Sequence, residues 1–526
     1  MSGQEILKFC LENGFIIDKE LFESLSPIDF DVARRIIEKI KEASNTRLIT
    51  KTILFSKSQE LSRIATAFDS ENKKRVEKIF INLGMNIEIT KESEEAEREE
   101  SKDAGSVKMA MPLKDVRIIS SYNIPTKKFK VADFARHFRN RFVEIKKLMQ
   151  DRPELQNLVS INKIGGNRQN FSIIGAVLKK RATKNKNILL ELEDLTGRIL
   201  VLANHDRKEI YEKAKEAMLD DIIAVKGSSG SSEIIYANDI IYPDIFLAEK
   251  KRARKEEYAL FTSDLHVGSN RFLEKNFLKF IEWINGRMNN AETAGKVKYL
   301  FITGDSVDGV GVYPGQEDLL LIKDIKKQYE KLAGMLKMIR KDVNIILCPG
   351  QHDAVRVAEP QPILDRNYAA PMHEIQNLNL VSNPAIVEIS DGINVLMYHG
   401  ASIHSFVSDI EELRVSRAHE TPTRIIKHML KRRHLAPTHS SVVYVPNEAE
   451  DPLFIKKAPD IITTGEVHRA DIDIYNNILM ISSSCWQSTT PFEEKIGNNP
   501  IPCKVPMLNL KTREIKILDF SDEGEK

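Results

Sequence analysis

Cysteine is scarce in this sequence of 526 residues, which contains only four. They are Cys10, Cys348, Cys485 and Cys503, and no two of them form a Cys-x-x-Cys pair. Widely separated single cysteines exclude both a disulfide framework and a zinc ribbon. We therefore expect free thiols in a reducing compartment.

Long hydrophobic runs are also lacking. No apolar stretch approaches the length needed to cross a bilayer, and the first five residues carry neither the basic nor the apolar region of a signal peptide. We therefore expect a cytoplasmic protein with no membrane partner.

An excess of charge of either sign is the third absence, because 78 basic residues balance 76 acidic ones and leave a net charge of +2. Global electrostatics do not indicate a nucleic-acid binder, so any such role depends on local clusters. Basic residues are concentrated at 250–255 and at 424–434. Each cluster fits a solvated helix face or a linker as well as a track for phosphates, so the sequence identifies no DNA-contacting residues.

The chain is too long for a single core, and its length indicates roughly two to four domains. Residues 1–88 have the apolar spacing of helices, interrupted at Ser26-Pro27, and predict a small N-terminal helical module. Residues 89–115 are acidic with almost no apolar surface, which predicts a flexible linker. A connecting helix is predicted within residues 116–155.

Five short strand patterns follow between residues 156 and 250. They lie at 171–178, 188–192, 198–202, 222–225 and 233–237, and a helical pattern at 207–218 separates the third from the fourth. This order is typical of an OB-fold β-barrel. Its strands offer few aromatic residues for stacking on bases, chiefly Phe171 and Tyr236. We therefore expect the barrel to pack against another domain or a partner subunit.

The most informative pattern lies in the second half of the chain, where five apolar runs each end at residues that bind metals. The runs are 258–262, 297–303, 344–348, 393–398 and 460–464. The polar residues that follow them are Asp264 and His266, Asp305 and Asp308, Gln351, His352 and Asp353, His399, and Glu466 and His468. Each run has the composition of a buried strand, so the sequence predicts that the polar residues meet at one edge of a sheet.

Carboxylates clustered in this way repel one another unless a cation lies between them. Asp and His together favour Mn, Fe or Zn, and Mg fits where carboxylates dominate. Ten of the 12 histidines fall between His266 and His468. We expect an ordinary surface or core role for those outside the motifs, namely His373, His404, His419, His428 and His439.

The ordered motifs Asp-x-His, Gly-Asp-x-x-Asp, a His-Asp pair after glycine, a single His and a final x-His resemble the calcineurin-like metallophosphoesterases, a superfamily that includes nucleases. Four further segments, 348–356, 397–402, 431–437 and 464–469, resemble the small subunits of archaeal DNA polymerase D. The resemblance implies an α/β multidomain chain. In such a chain, residues 251–526 would form a calcineurin-like phosphoesterase sandwich. The helical module and then the barrel would precede this sandwich in the sequence.

The resemblance also implies a role for each motif residue. Asp264, His266 and His468 would bind one ion, Asp305 would bridge two ions, and His399 would bind the second together with Gln351 and Glu466. His352 would be catalytic, either protonating the leaving oxygen or stabilising charge on the phosphate. Asp308 and Asp353 would lie behind these residues, with Asp353 orienting His352. The two ions, Mn²⁺ or Mg²⁺, would activate water for attack on a phosphodiester.

Two positions differ from the family pattern, which has Asn at 351 and His at 466. Gln351 keeps the amide oxygen but adds a methylene, and Glu466 replaces a neutral nitrogen ligand by an anion that favours Mn²⁺ or Mg²⁺. Both changes fall on the same ion. Either the second site is retuned or it is weakened until activity is lost.

Three functions are compatible with these features. The first is a 3′→5′ exonuclease that proofreads a primer end beside a separate large polymerase subunit, in which DNA polymerase activity would belong only to the heterodimer. The second is a non-catalytic accessory subunit of a replicative polymerase. The third is a free-standing metallophosphatase, for which the barrel and the helical module have no purpose. The N-terminal module would suit docking to a sliding clamp or a primase.

Overall fold

The computed structural model describes residues 2–13, isolated positions between 16 and 49, and then 116–125, 127–165, 168–229, 233–490, 493–494 and 499–522. The chain divides into two compact units, Met1–Ala110 and Met111–Lys526. The described part of the first unit contains helix α1 (Ser2–Glu12) and two short parallel strands, β1 (Ile16–Ile17) and β2 (Leu48–Ile49). Most of the predicted helical module and the whole predicted linker at 89–115 lie outside the described residues. Within the described part of the chain, no helix is both long enough and apolar enough to span a membrane.

The second unit begins with strand β3 (Arg117–Ser121) and helix α2 (Val131–Gln150). Helix α2 lies within the residues 116–155 over which a connecting helix is predicted, and strand β3 precedes it there. The buried face of α2 includes Phe142, Ile145 and Met149, which recur at helical spacing and pack against the strands that follow.

The five predicted barrel strands are observed as β4 (Arg168–Ala182), β5 (Ile188–Glu193), β6 (Arg198–Ala203), β7 (Ile222–Ser229) and β8 (Ile234–Ile241). Helix α3 (Lys208–Glu216) lies between the third and the fourth. The barrel closes in the order β4-β5-β6-β8-β7, with β6 and β8 parallel and the other pairs antiparallel. The OB-type barrel predicted from strand order is confirmed.

Strands β9 to β19 form the two sheets of the C-terminal region. They are β9 (Tyr258–Thr262), β10 (Val297–Thr303), β11 (Asn344–Cys348), β12 (Leu378–Leu380), β13 (Ala385–Ile389), β14 (Ile393–Met397), β15 (Ile461–Thr464), β16 (Asp471–Tyr475), β17 (Ile478–Ser482), β18 (Lys504–Asn509) and β19 (Ile515–Asp519). One sheet has the order β12-β11-β10-β9-β18-β19, and the other has the order β16-β17-β15-β14-β13-β3. Strand β3 is thus an edge strand of the second sheet, so the sandwich includes residues that precede the barrel.

Helices cover the outer faces of both sheets. They are α4 (Glu274–Ile284), α5 (Ala291–Gly295), α6 (Ile325–Leu336), α7 (Arg366–Ala369), α8 (Ile403–Asp409), α9 (Glu411–Val415) and α10 (Thr423–Arg432). Short 3-10 turns occur at Ile161–Lys163, Gln316–Leu319, Ala370–Glu374, Ser390–Gly392 and Ala418–Glu420. The predicted α/β multidomain architecture, with a barrel preceding a two-sheet sandwich, is confirmed.

Alternate residues of the central strands enter different cores, because side chains of a strand point to opposite faces. Phe261 and Phe301 stack between the two sheets with ring centroids 5.1 Å apart. Leu260 and Leu300, one position earlier on the same strands, pack against helices α4 and α6 instead. Burial on both faces explains why these strands appear in the sequence as continuous apolar runs.

The barrel packs on the sandwich through an ion pair that is shielded from solvent. Arg432, near the end of α10, donates from Nε to Oδ2 of Asp221 at 3.1 Å and from Nη2 to the backbone oxygen of Glu216 at 2.6 Å. Lys431 contacts the Glu216 carboxylate. Part of the basic cluster at 424–434 therefore binds the barrel, in agreement with the expectation that the barrel packs against another domain or a partner subunit.

Candidate metal centre

The motif residues lie just beyond the carboxyl ends of β9, β10, β11, β14 and β15, where the sequence predicted them. Five of them have φ between +46° and +69°, a region that side chains other than glycine seldom adopt: Asp264, His266, Asp305, Glu466 and His468. Such left-handed turns at strand ends direct successive side chains back across the sheet edge. Backbone strain concentrated at one place is characteristic of functional sites.

The first group of candidate ligands consists of Asp264, His266 and His468. His266 Nε2 lies 3.4 Å from His468 Nε2, and His468 Nε2 lies 3.3 Å from Asp264 Oδ1. One ligand atom from each of the three lies within 4.8 Å of the others. His266 is fixed by its other ring nitrogen, Nδ1, which lies 3.1 Å from Oδ1 of Asp308. This carboxylate–imidazole contact is the arrangement that orients histidine ligands in metal sites.

The second group joins the first through Asp264 and contains Asp305 and His399. Asp305 Oδ2 lies 3.3 Å from His399 Nε2, while His399 Nδ1 lies 2.9 Å from the backbone oxygen of Thr303. Glycine at position 350 is required for this packing, because a Cβ atom there would lie 2.2 Å from Asp305 Oδ1.

The two residues that differ from the family pattern also reach this group. Gln351 donates from Nε2 to Oε2 of Glu466 at 2.8 Å, and the same Oε2 lies 3.2 Å from His399 Nε2. All seven side chains assigned to metal by the resemblance are thus brought together. They are Asp264, His266, Asp305, Gln351, His399, Glu466 and His468.

The residues fit a pair of divalent cations on their own chemistry. Among the described residues, four buried atoms of the candidate ligands lack a hydrogen bond of good geometry: Asp264 Oδ1, Gln351 Oε1, His399 Nε2 and His468 Nδ1. Buried polar atoms are otherwise almost always hydrogen-bonded, so four such atoms in one cluster fit a site that an electropositive partner would satisfy. Mixed carboxylate, amide and imidazole donors suit a first-row divalent ion.

Ionisation of the buried groups agrees with a cation-binding role. Burial raises the pKa of Glu466, but His399 and His404 outweigh it and hold the pKa of this carboxyl well below its usual range. Burial lowers the pKa of His399, yet the carboxylates of Asp305 and Glu466 raise it well above the ordinary value. Glu466 is therefore held in the anionic form that binds a cation, whereas His399 would bind one through Nε2 only after its ring loses a proton.

His352 lies at the edge of this cluster, with its side chain about 20% exposed. Its backbone N–H donates to Asp305 Oδ1 at 2.9 Å, and its Nδ1 lies 2.7 Å from the backbone oxygen of Asp308. Its Nε2 lies 4.0 Å from Asp305 Oδ2. The backbone oxygen of Asp308 thus orients the imidazole, and the ring lines the same cavity as several of the candidate metal ligands.

The hypothesis that Asp353 orients His352 is corrected by these contacts. Asp353 is buried and accepts hydrogen bonds from the Oγ of Ser306 at 2.5 Å, the hydroxyl of Tyr329 at 3.0 Å and the backbone N–H of Gly350 at 2.9 Å. These donors engage both of its oxygens, and the imidazole of His352 is not among them. Asp353 therefore ties the second and third motif loops together, and the backbone of Asp308 orients His352.

The cavity at the site has a volume of about 380 Å³ and includes residues that the sequence did not single out. Tyr313 lies near His352, with ring centroids 6.1 Å apart. Glu493 Oε1 lies 2.8 Å from His468 Nδ1. Gln487 and Thr490 complete this part of the wall. These residues come from loops without a motif, so no local signal in the sequence marks them.

The expectation of an ordinary surface or core role is wrong for His404. Its Nε2 lies 3.3 Å from Glu466 Oε1, and its Nδ1 lies 3.0 Å from His419 Nε2. The position of His404 shortly after His399, in the first turn of α8, was its only sequence signal. His373 and His439 do have the expected ordinary surroundings, bonded to the backbone oxygen of Leu364 and to the hydroxyl of Tyr444 respectively.

Similar proteins were found by both sequence and structure. The family of the B subunits of DNA polymerases alpha and epsilon matches residues 259–471. A DNA polymerase II small subunit from Archaeoglobus fulgidus is 36% identical over 467 residues, which are 87% of this chain and 91% of that protein. One from Pyrococcus furiosus is 38% identical over 399 residues, which are 74% of this chain and 64% of that protein. This chain therefore spans less than two thirds of the Pyrococcus relative.

Among solved structures, an archaeal phosphodiesterase matches over 50% of this chain and 98% of its own, with 15% sequence identity and a TM-score of 0.26.

Proposed function

The chain belongs to the small subunits of archaeal DNA polymerase II, also called polymerase D, and on this premise we propose that it is a metal-dependent 3′→5′ exonuclease. In this role it removes mismatched nucleotides from a primer end. One observation carries the proposal: five of the seven candidate metal ligands line a single cavity of about 380 Å³ together with His352, and the other two, Asp264 and His399, are buried beside them.

The proposed roles divide between the two ion sites. Asp264, His266 and His468 would hold one ion, Asp305 would bridge, and His399, Gln351 and Glu466 would hold the other. Two divalent ions held by these residues, Mn²⁺ or Mg²⁺, would supply a water of lowered pKa and would neutralise charge on the phosphate. His352 would donate its proton to the leaving 3′ oxygen as a bond forms from the water oxygen to phosphorus, the bond from phosphorus to the 3′ oxygen breaks, and the water's proton passes to solvent.

The size of the cavity supports a chain end as substrate. Pockets of roughly 300–1,000 Å³ hold a single small ligand, so this cavity would admit a terminal nucleotide but not a duplex. Tyr313, which is 37% exposed at the cavity wall, offers a ring on which the terminal base can stack. A terminal nucleotide reaches such a pocket only when it is unpaired, as a mismatched 3′ end is.

The proposal includes a separate large subunit that carries DNA polymerase activity. The relatives are described as small subunits of a polymerase, and the motif residues of this chain are already committed to one hydrolytic site. A sliding clamp and a primase are further proposed partners. The contacts with DNA would then be shared between the two subunits, which agrees with the near-neutral charge of this one.

The alternative is an accessory subunit with weakened catalysis. It is favoured by the two changed ligand positions, which fall on the same ion and contact each other through the hydrogen bond from Gln351 to Glu466. The retained set of Asp264, His266, Asp305, His352, His399 and His468 supports the nuclease.

Incubation of the chain with its large subunit and a 3′-mismatched primer, in Mn²⁺ and separately in Mg²⁺, tests the proposal. We expect release of mononucleotides by the wild type and a loss of about 100-fold or more for His352→Ala, because positioned acid catalysis contributes on that order. His205→Ala, at an exposed barrel histidine, is the matched control. Activity of His352→Ala equal to wild type would refute the nuclease. If Glu466→His alone is active, the accessory alternative is correct.

A further inference from the structure

The carboxylate of Glu466 is held between two imidazoles. Its Oε2 lies 3.2 Å from His399 Nε2, and its Oε1 lies 3.3 Å from His404 Nε2. Oε2 also accepts a hydrogen bond from Gln351 Nε2 at 2.8 Å, so rotation of the carboxylate would break this bond together with the contact to His404. His399 belongs to the proposed second ion site, whereas no motif includes His404.

The other ring nitrogen of His404 contacts a further histidine. Its Nδ1 lies 3.0 Å from Nε2 of His419, which sits on the 3-10 turn Ala418–Glu420, and the two rings are 5.0 Å apart. The turn is entered through Arg417, which has a positive φ of 51° and directs the following residues toward α8. The series His399, Glu466, His404 and His419 therefore runs from the buried ligand cluster to the rim of the cavity.

The exposure of His404 is unusual for a residue that only fills space. Its side chain is 53% exposed, against 17% for Glu466 and 0% for His399. It lines the cavity beside Gln351 and Glu466. The two ring nitrogens of this exposed imidazole contact a candidate ligand, Glu466, and His419.

We infer that His404 is a positioning residue for Glu466, and that Glu466 and His404 act together at the second ion in place of the single imidazole that the family pattern has at 466. A glutamate side chain is more flexible than a histidine ring, so it needs a second contact to stay in ligand geometry. His404 supplies this contact at Oε1, while Oε2 accepts from Gln351 Nε2 at 2.8 Å and lies 3.2 Å from His399 Nε2. Outer partners of this kind are known to set metal affinity.

The inference rests on the proposed ion binding but not on nuclease activity, so the two can fail separately. Mn²⁺ binding to the full-length chain, measured by isothermal titration calorimetry, is the direct test. We expect two sites in the wild type. His404→Ala should weaken one of them by about 10- to 100-fold and leave the other unchanged, because that is the usual effect of removing a ligand's partner. His404→Gln, whose amide can still donate to Glu466, should restore most of the affinity.

A double-mutant cycle separates positioning from a general structural effect. In a Glu466→His background, His404→Ala should no longer change Mn²⁺ affinity, because the carboxylate that it positions is gone. His205→Ala is again the matched control, and thermal unfolding of each variant in EDTA checks that the fold is intact.

Several outcomes would overturn the inference. His404→Ala could leave the Mn²⁺ affinity of the second site unchanged, or weaken both sites together. It could also lower the affinity equally in the wild-type and Glu466→His backgrounds, or the wild type could bind fewer than two ions. If the cycle behaves as expected while the complex releases no nucleotides, the inference stands and the nuclease proposal fails.

Discussion

Gln351 donates a hydrogen bond to Glu466, with Nε2 2.8 Å from Oε2, so the two ligand positions that differ from the family pattern contact each other. The bond fixes the amide of Gln351 with its donor toward Glu466. Its acceptor, Oε1, is then buried without a hydrogen-bond partner among the described residues. The longer side chain at 351 and the carboxylate at 466 therefore form one unit, in which each change accommodates the other.

The first prediction follows from this contact. Gln351→Asn shortens the side chain by one methylene and should break the bond, which lowers Mn²⁺ affinity by about 10- to 100-fold, since a hydrogen bond to a charged group contributes about 1.5–3 kcal/mol. Combining it with Glu466→His should recover most of the loss, because that pair restores the family pattern. The shift of melting temperature on adding Mn²⁺ measures both effects. Losses that simply add in the double variant would show that the two residues act independently.

Tyr313 provides the second prediction. If the terminal base stacks on its ring, Tyr313→Ala should raise KM for a mismatched primer by roughly 5- to 150-fold, since base stacking contributes about 1–3 kcal/mol. Tyr313→Phe keeps the ring and should retain nearly wild-type KM. Steady-state kinetics on the primer, compared with a small phosphodiester that lacks a base, measure the effect. Equal losses on both substrates would contradict stacking.

The third prediction concerns the contact of the barrel with the sandwich. Arg432 and Asp221 are 2% and 1% exposed, so Arg432→Met would leave a buried carboxylate without its counter-charge. We expect a loss of about 3–5 kcal/mol in the free energy of unfolding. Adding Asp221→Asn removes that charge and keeps the hydrogen bond from the backbone of Met218, so the double variant should be more stable than Arg432→Met alone. Urea unfolding compares the variants, and a double variant of lower stability would exclude this explanation.

The fourth prediction is a pH dependence of stability caused by His434. Burial, followed by the charge of Arg141, lowers the pKa of this imidazole to about 4. In the unfolded chain its pKa is about 6.5, so between roughly pH 6.5 and 4 the unfolded state binds a proton that the folded state does not. Stability should therefore fall as pH falls through this window, by up to about 3 kcal/mol from this group.

His434→Gln tests the attribution. The amide can replace the donor that lies 2.9 Å from Asp451 Oδ2, but it does not titrate. The variant should lose less stability than wild type between pH 7 and pH 4.5, as measured by urea unfolding at each pH. If the variant and the wild type lose the same stability over this pH range, other groups cause the acid sensitivity. His428 is one such group, because burial and Arg432 lower the pKa of its imidazole to about 2.

Much of the candidate site could be predicted because its signals are local. Each apolar run that ends in a polar motif is a buried strand followed by a turn, and parallel strands present such turns at one edge. On this basis Asp264, Asp305 and His399 are expected at one edge of a sheet, and the structure brings their side chains together. The roles of Asp353 and His404 could not be predicted in this way, because they depend on side-chain direction. Asp353 turns toward Ser306 and Tyr329, and His404 reaches Glu466 only because α8 packs beside that strand end.

The sequence by itself determined the five barrel strands, the five strands that carry the motifs, the type of barrel and the set of candidate ligands, because hydrophobic periodicity and turn chemistry act over a few residues. Only the tertiary structure decided which residues share a contact. It joined strand β3 to the far sheet, paired Arg432 with Asp221, and placed His404 against Glu466. Such contacts depend on the packing of elements distant in the chain, and no local pattern encodes the distance between two side chains that approach from different elements.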